Sequence, residues 1–371
     1  MTSIPMNNLR RRYLRHEADL LRISRDVLAS GNWISGPHNA AFCREFAAAT
    51  SVAYCIGVGN GSDALEIALR CVVTDPARRE VVTVANAGGY TTTACRLIGL
   101  TPVYVDVVEA SQLVAIDQTV AAVGPATGAV VVTHLYGGLV DVPALRAALR
   151  SAGFSGVPII EDCAQAHGLR GCGAGAGAFG DLATFSFYPT KNLGGLGDGG
   201  AILTNDAALA AQVARLRMYG WDGKYDVVTN GGRNSRLDEL QAAFLAAMLS
   251  HLEADNERRL SIIDAYRAAG TDGIEWVSSP HGNVGHLAVV LTNDRDRLAK
   301  HLNARGVATA IHFPILDCDQ TGWAGAVQRI GPAGIDVSRR SVKRILSVPC
   351  FPEMSDDEIA HVCDALGSYS A

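Results

Sequence analysis

The sequence predicts an α/β fold, with a mostly parallel sheet in a large domain and a smaller α+β domain behind it. Two observations carry this. Over the first half of the chain, short runs that are apolar at every position alternate with helical stretches. Such strands are buried on both faces, as in a parallel sheet covered by helices. The chain, at 371 residues, is also too long for one small core, and two domains accommodate it. The division is placed so that 1–250 form the large domain and 251–371 the small one.

The elements follow in order. Leu9, Tyr13, Leu20, Ile23, Val27 and Leu28 fall at helical spacing and predict a helix over 7–29. Gly31 ends it, and Gly36-Pro37 closes a turn before a second helix over 39–49. Strands are expected at 54–58, 80–84, 102–106, 129–133 and 158–162, with helices at 62–71, 91–98 and 142–150 between them. Crossovers of fixed hand then put the functional loops at the carboxyl ends of the strands, at 59–62, 85–90 and 162–167. Apolar residues recur from Leu237 to Leu252 and predict one long amphipathic helix leading to the second unit. There, 275–277 and 286–291 are expected as strands, and 295–305 and 356–366 as helices. The glycine-rich patch 171–177 reads as a flexible loop.

Composition excludes several classes. Net charge is −5, which gives nucleic acid or an anionic membrane no electrostatic hold. Arg10, Arg11 and Arg12 form the only tight basic cluster near the start; no signal-length apolar run follows, so they read as a solvated helix face. No stretch is long enough to span a bilayer. The nine cysteines contain no C-x-x-C pair, so neither a disulfide framework nor a structural zinc site is expected. Cys71, Cys95 and Cys363 sit in apolar company, which suits the reducing cytoplasm.

The chemistry concentrates around Lys191. A strand pattern runs through Phe185-Ser186-Phe187, Pro189 stops it, and Lys191 follows in a turn of small residues ending at Gly194-Gly195. A lysine held there loses solvent, its pKa falls, and its amine becomes a nucleophile. The plain alternative is a solvated loop lysine. Asp162 stands just past a buried strand, where a carboxylate suits a pyridinium partner. Its alternatives are a helix cap or a metal ligand beside His167, although no ligand spacing surrounds that histidine. Alternation puts Glu161 and Asp162 on opposite faces without saying which face holds a ligand; Asp162 is chosen. Gly59-Asn60-Gly61-Ser62 follows a strand and opens a helix, where free amides bind phosphate. Ser62 and Ser186 add hydroxyls, and Tyr90 offers a ring to stack on a flat cofactor.

Taken with His134-Leu135-Tyr136-Gly137, Glu161-Asp162-Cys163-Ala164-Gln165-Ala166-His167-Gly168, Asn234-Ser235-Arg236-Leu237-Asp238-Glu239 and Pro349-Cys350-Phe351-Pro352, these blocks run nearly end to end. Together they resemble the DegT/DnrJ/EryC1/StrS sugar aminotransferases, within the aspartate-aminotransferase-like pyridoxal-phosphate (PLP) enzymes. The resemblance implies that fold, PLP as cofactor, and a homodimer with shared active sites. It implies that Lys191 bears the cofactor as a Schiff base and that Asp162 pairs with the ring nitrogen. Gln165 would lie near the ring hydroxyl, Gly61, Ser62 and Ser186 would hold the phosphate, Tyr90 would stack on the ring, and Asn234 would arrive from the partner subunit. His312, in Ile311-His312-Phe313-Pro314, and Tyr188 are candidate substrate contacts. No metal is expected.

Two stretches depart from the family pattern. A Pro-Ala-Asn-Thr loop followed at once by an aromatic is usual where this chain reads Ala85-Asn86-Ala87-Gly88-Gly89-Tyr90. Cys318 stands where a histidine often precedes a glutamine, here Gln320. The implied reaction moves an amino group from glutamate to the keto group of a nucleotide-linked (dTDP, UDP or GDP) deoxysugar. C-3 is favoured over C-4, because the 161–165 and 85–90 stretches look more like those of C-3 enzymes. The alternatives are a cyclitol ketone as substrate, a PLP dehydratase with histidine at the Schiff-base position (which Lys191 argues against), and a non-catalytic regulatory homologue.

Overall fold

The structure, a computed structural model, describes residues 3–171, 173–270 and 272–370. Two helices lead: α1 (Leu9–Ser30) and α2 (Pro37–Thr50). The alternating region comprises β1 (Tyr54–Val58), α3 (Gly61–Val72), β2 (Glu80–Val84), α4 (Tyr90–Leu97), β3 (Thr101–Val105), α5 (Ile116–Ala122), β4 (Thr127–Thr133), α6 (Val142–Ser151) and β5 (Ile159–Asp162). A small hairpin, β6 (Arg170–Gly171) with β7 (Ala174–Gly175), precedes β8 (Leu182–Ser186), β9 (Gly200–Thr204) and α7 (Ala207–Leu216). The remainder is α8 (Glu239–Leu249), α9 (Leu252–Ala268), β10 (Glu275–Trp276), β11 (Ala288–Leu291), α10 (Arg295–Ala304), β12 (Arg329–Ile330), α11 (Asp336–Arg344), β13 (Ile345–Val348) and α12 (Asp356–Gly367).

The predicted fold class is borne out. Eight strands form one sheet in the order β1-β9-β8-β5-β4-β2-β3-β12. Its central strands run parallel, and only β9 runs against its neighbours. The reversal has a local cause. The chain between β8 and β9 carries no helix, and a parallel return needs a long crossover, usually helical. Strand β4 is buried at every position, as its apolar run requires. Helix α3 is capped by Asn60, whose side chain accepts from the Asp63 amide, and it lays Leu65, Ile67, Ala68 and Leu69 into the core.

A second sheet, β10-β11-β13, is antiparallel and packs with α9, α10 and α12 around Tyr266, Val290, Leu298, Val348 and Val362. Ile4 joins this core and pairs in parallel with Val307, so the start of the chain lies on the C-terminal lobe. Conversely, β12 leaves that lobe and edges the large sheet beside β3. No helix among the described residues is long and apolar enough to cross a membrane, and their cysteines form no disulfide.

Three expectations need correction. The helix expected over 237–252 is two helices: the Ser250 hydroxyl turns back to the Ala247 carbonyl at 2.9 Å, and α9 starts afresh at Leu252. Helix α9 escaped the periodicity because it buries Asp255, Asn256 and Arg259 among its contacts. The patch 171–177 is not a free loop. Arg170–Gly171 pairs with Ala174–Gly175, and a Cβ on Gly171 would meet Leu139 Cδ2 at 2.3 Å; Cys172 lies outside the described residues. Finally, of the three leading arginines only Arg10 is exposed as expected. Arg11 pairs with Glu358 at 2.6 Å, and Arg12 turns inward to the loop that bears Lys191.

Candidate active site

A cavity of about 740 Å³ opens where the carboxyl ends of β5 and β8 meet the N-terminus of α3 and the C-terminal lobe. Gly61, Ser62, Tyr90, Asp162, Gln165, Ser186, Tyr188, Lys191 and His312 all line it. Asn234 does not; it sits in a short bridge with Met218.

One end of the cavity is an anion cradle. A helix leaves its first four amides without helical partners. In α3 the Asp63 amide is taken by the Asn60 side chain and the Ala64 amide by the Asn60 carbonyl. The Gly61 and Ser62 amides remain, at the positive end of the helix dipole. A Cβ on Gly61 would sit 2.6 Å from Ser186 Cβ and 3.2 Å from its Oγ, so only glycine lets the helix end come this close to the Ser186 hydroxyl.

Lys191 and Asp162 face the middle. Burial lowers the Lys191 ammonium to about 8, with Asp162 pulling it back up. Asp162 is buried; its Oδ1 accepts from the Ala164 amide at 3.1 Å and its Oδ2 from Thr133 Oγ1 at 3.4 Å. Burial raises its acid, against the pull of the Ala164 amide and Lys191. The Lys191 turn is clamped from outside. Arg12 donates to the carbonyls of Pro189 at 2.9 Å and Asn192 at 3.0 Å. Asn192 donates to Asn256 at 2.8 Å and to the Val284 carbonyl at 3.0 Å, and its Oδ1 faces His286 Nδ1 at 2.8 Å. Neither Arg12 nor His286 was singled out from sequence. Arg12 is masked by a basic cluster, and His286 by its place at one end of an apolar strand run.

Glu161 faces the other way. It accepts from the amides of Gly177, Phe179 and Gly180 at 2.9, 2.8 and 2.5 Å. His134 Nε2 lies 2.9 Å from the same carboxylate, while its Nδ1 accepts from the Val140 amide, so the proton sits on Nε2. Cys163 lies beside them, and the ligand atoms of His134, Glu161 and Cys163 fall within 4.8 Å of one another. Both histidine nitrogens and both carboxylate oxygens are already engaged, so the trio is a structural anchor. His167 packs against Phe185 and Phe187 with neither ring nitrogen bonded, and burial pushes it down to about 3.

Around the rim, Gln165 Oε1 accepts from the Tyr136 amide at 2.6 Å, which leaves its amide nitrogen for a ligand. His312 Nδ1 meets Ser347 Oγ at 2.9 Å, and the Tyr136 hydroxyl donates to the His312 carbonyl. Tyr188 is half exposed. These residues fit PLP: an anion cradle that a Cβ would fill, a lysine with a depressed pKa, and a buried acid beside it.

Fold and cavity together are those of the PLP-dependent aminotransferases. The chain belongs to the DegT/DnrJ/EryC1/StrS aminotransferase family, whose model matches residues 15–367. It is 38% identical over 366 residues to a Micromonospora megalomicea subsp. nigra protein named dTDP-3-amino-3,4,6-trideoxy-alpha-D-glucose transaminase, covering 95% of each chain. The crystal structure of Streptomyces venezuelae DesV in complex with a ketimine intermediate matches with a TM-score of 0.93 at 35% identity, over 100% of both chains. NtdA from Bacillus subtilis, solved with bound PMP cofactor, matches with a TM-score of 0.89 at 27% identity, over 99% of this chain and 85% of its own. The chain is an aminotransferase.

Proposed function

We propose that this aminotransferase moves an amino group from glutamate to the C-3 keto group of a nucleoside-diphosphate-linked deoxysugar. The carrying observation is the cavity wall. Among the described residues that line it, Lys191 is the only lysine or arginine, and beside the carboxylates Asp63, Asp162 and Asp198 the lining carries the neutral polar groups of Asn7, Tyr90, Tyr188, His286 and His312. Sugar hydroxyls call for neutral donors and acceptors such as these, and a remote nucleotide supplies further binding energy. The relative named for a 3-amino sugar supports C-3 over C-4.

When bound, the cofactor supplies an electron-accepting ring. Lys191 would hold it through Nζ and would carry protons at the substrate carbon. Asp162 would keep the ring nitrogen protonated. The Gly61 and Ser62 amides and the Ser62 and Ser186 hydroxyls would hold the phosphate, Gln165 would steady the ring hydroxyl, and Tyr90 would cover one face. With the cofactor taking up its amino group, glutamate would depart as 2-oxoglutarate before the ketone enters. The chain is read as two domains divided near residue 250, and as a cytoplasmic homodimer in which Asn234 serves the partner's cavity.

The test is a panel of 3-keto and 4-keto nucleotide sugars and a free cyclitol ketone, each with glutamate, with the new nitrogen located by NMR. Amine at C-3 is expected. Amine at C-4 overturns the position, and reaction with the cyclitol alone overturns the substrate class.

A further inference from the structure

Asp317 is 1% exposed, and its two oxygens bond to Gly89 and Thr92, either side of Tyr90 where α4 begins. Oδ1 accepts from the Gly89 amide at 2.8 Å, and Oδ2 from Thr92 Oγ1 at 2.8 Å. The Asp317 amide donates to the Ala85 carbonyl at 2.8 Å. Thr92 gives its only proton to Asp317, so Tyr104 Oη, 3.0 Å away, donates to Thr92. Burial raises the Asp317 acid to about 7, against the bonds from Thr92 and Gly89 that lower it.

The same two segments pack tightly. Gly88 and Gly89 have φ of +81° and +83°; a Cβ on Gly88 would lie 3.0 Å from the Phe313 ring, and one on Gly89 would lie 2.9 Å from Trp323. The Tyr90 ring meets Phe313 edge-on, with centroids 6.2 Å apart, and both line the cavity. Arg96 sits over Trp323 at 5.3 Å. Gly89 caps α4 without a side chain, and Tyr90 is the first residue of that helix. What holds the Gly89 backbone therefore sets where the Tyr90 ring stands. Both segments belong to stretches that depart from the family pattern, and they touch each other.

We propose that Asp317 is a positioning residue for Tyr90: through the Gly89 amide and the Thr92 hydroxyl it locks the 85–92 segment, where the loop enters α4, to the 312–323 segment and fixes the aromatic wall of the cavity. This rests on the reading of Tyr90 as the residue that covers the cofactor.

The experiment compares Asp317→Ala and Asp317→Asn, each alone and with Tyr90→Ala. Two quantities are read: amide hydrogen exchange of the apoprotein over 85–92, and the dissociation constant for PLP. Asp317→Ala is expected to speed exchange over 85–92 at least about tenfold while β4 and β5 are unchanged, and to weaken PLP about tenfold. Asp317→Asn restores both, because its oxygen accepts from Gly89 and its amide can donate to Thr92. With Tyr90→Ala already present, Asp317→Ala is expected to weaken PLP less than about twofold further. Unchanged exchange overturns the lock, and a full tenfold loss without Tyr90 shows that Asp317 does not act through it. Faster exchange together with a Tyr90→Ala protein that binds PLP normally keeps the lock and overturns the reading of Tyr90 instead. Should Asp317→Ala fail to fold, Thr92→Val removes one bond of the pair, and unchanged exchange in that protein overturns the lock equally.

Discussion

Glu161 and Asp162 are consecutive on β5 and serve opposite faces of it. Glu161 gathers three backbone amides and His134, while Asp162 lines the cavity with Lys191. Glu161→Ala would leave the buried Gly177 amide and His134 unpartnered, at about 1–3 kcal/mol for each, and the partly buried Phe179 and Gly180 amides at less. A loss of at least about 3 kcal/mol in urea unfolding is expected, with Glu161→Gln milder. Burial alone would raise the Glu161 acid, but the bonds from His134, Gly180 and Gly177 outweigh it and the acid is lowered. The stability it contributes is therefore present above its unfolded value and lost as the pH falls through the lower folded one. Parent and Glu161→Gln should converge in stability under acid. Asp162→Asn should unfold like the parent yet lose at least about a hundredfold in turnover, about 3 kcal/mol in barrier. Near-parental turnover of Asp162→Asn would reverse the assignment.

Lys191 supplies a pH prediction. Burial lowers its ammonium to about 8 and Asp162 opposes this. As the pH rises through that value the ammonium loses its proton and the nucleophile appears. Labelling of the apoprotein with an amine-reactive reagent, read by peptide mapping, should rise with a midpoint near 8. Removing the carboxylate favours the neutral amine, so Asp162→Asn should move the midpoint lower. Borohydride treatment of the PLP-loaded protein should tag the same lysine. A tag on Lys224 or Lys300 in its place would sink the assignment.

Much of this was legible in the sequence, for reasons visible in particular residues. Strand β2 falls where its apolar run puts it, because a strand buried on both faces is apolar throughout; β1 was also legible although it is an edge strand with Tyr54 exposed, because glycine bounds its apolar run. Lys191, Asp162 and the Gly61-Ser62 cradle were legible because each sits at an element's end, where glycine, proline or a cap marks it. Long-range pairing was not. Nothing local in Arg12 tells that it reaches Pro189, and nothing in Asp317 tells that it holds Gly89. Helix α11 went unread because its buried positions include Ser338 and Ser341, which hydropathy does not mark; Ser338 instead donates to Asp106 at 2.7 Å.

Arg12 tests the clamp on the lysine turn. It spans from α1 to two carbonyls that flank Lys191. Hydrogen bonds from a charged donor contribute about 1.5–3 kcal/mol each when buried, and partial exposure reduces that. Arg12→Met keeps the aliphatic stem and is expected to cost about 2 kcal/mol in stability and to slow turnover about tenfold. Arg12→Lys, with a point charge in place of a fork, can reach one carbonyl and should fall between. A Met variant as stable and as fast as the parent would show that the turn holds itself.

The last prediction concerns Asn234. Its neighbours are pinned near their own α3: Arg233 pairs with Asp63 at 3.0 Å and with Glu66, Ser235 Oγ donates to Asp63 Oδ2 at 2.6 Å, and the Gly59 amide donates to Ser235 at 2.9 Å. Asn234 is held at that place without lining its own chain's cavity. Nearby, Tyr225, Val227 and Val228 are 73%, 61% and 53% exposed, an apolar surface that suits burial against another copy. In a two-fold dimer each copy can then lend Asn234 to the other's cavity. Asn234→Ala should weaken PLP binding and cut turnover about tenfold or more, and Lys191→Ala should abolish turnover. Mixed in equal amounts and allowed to exchange, half the dimers become hybrids. Each hybrid holds one cavity with Lys191 from one chain and Asn234 from the other, and a second cavity lacking both. Activity should therefore rise to about a quarter of the parental value. Exchange demonstrated by mass-tagged subunits with no rise above the Asn234→Ala contribution would mean that Asn234 does not cross between chains.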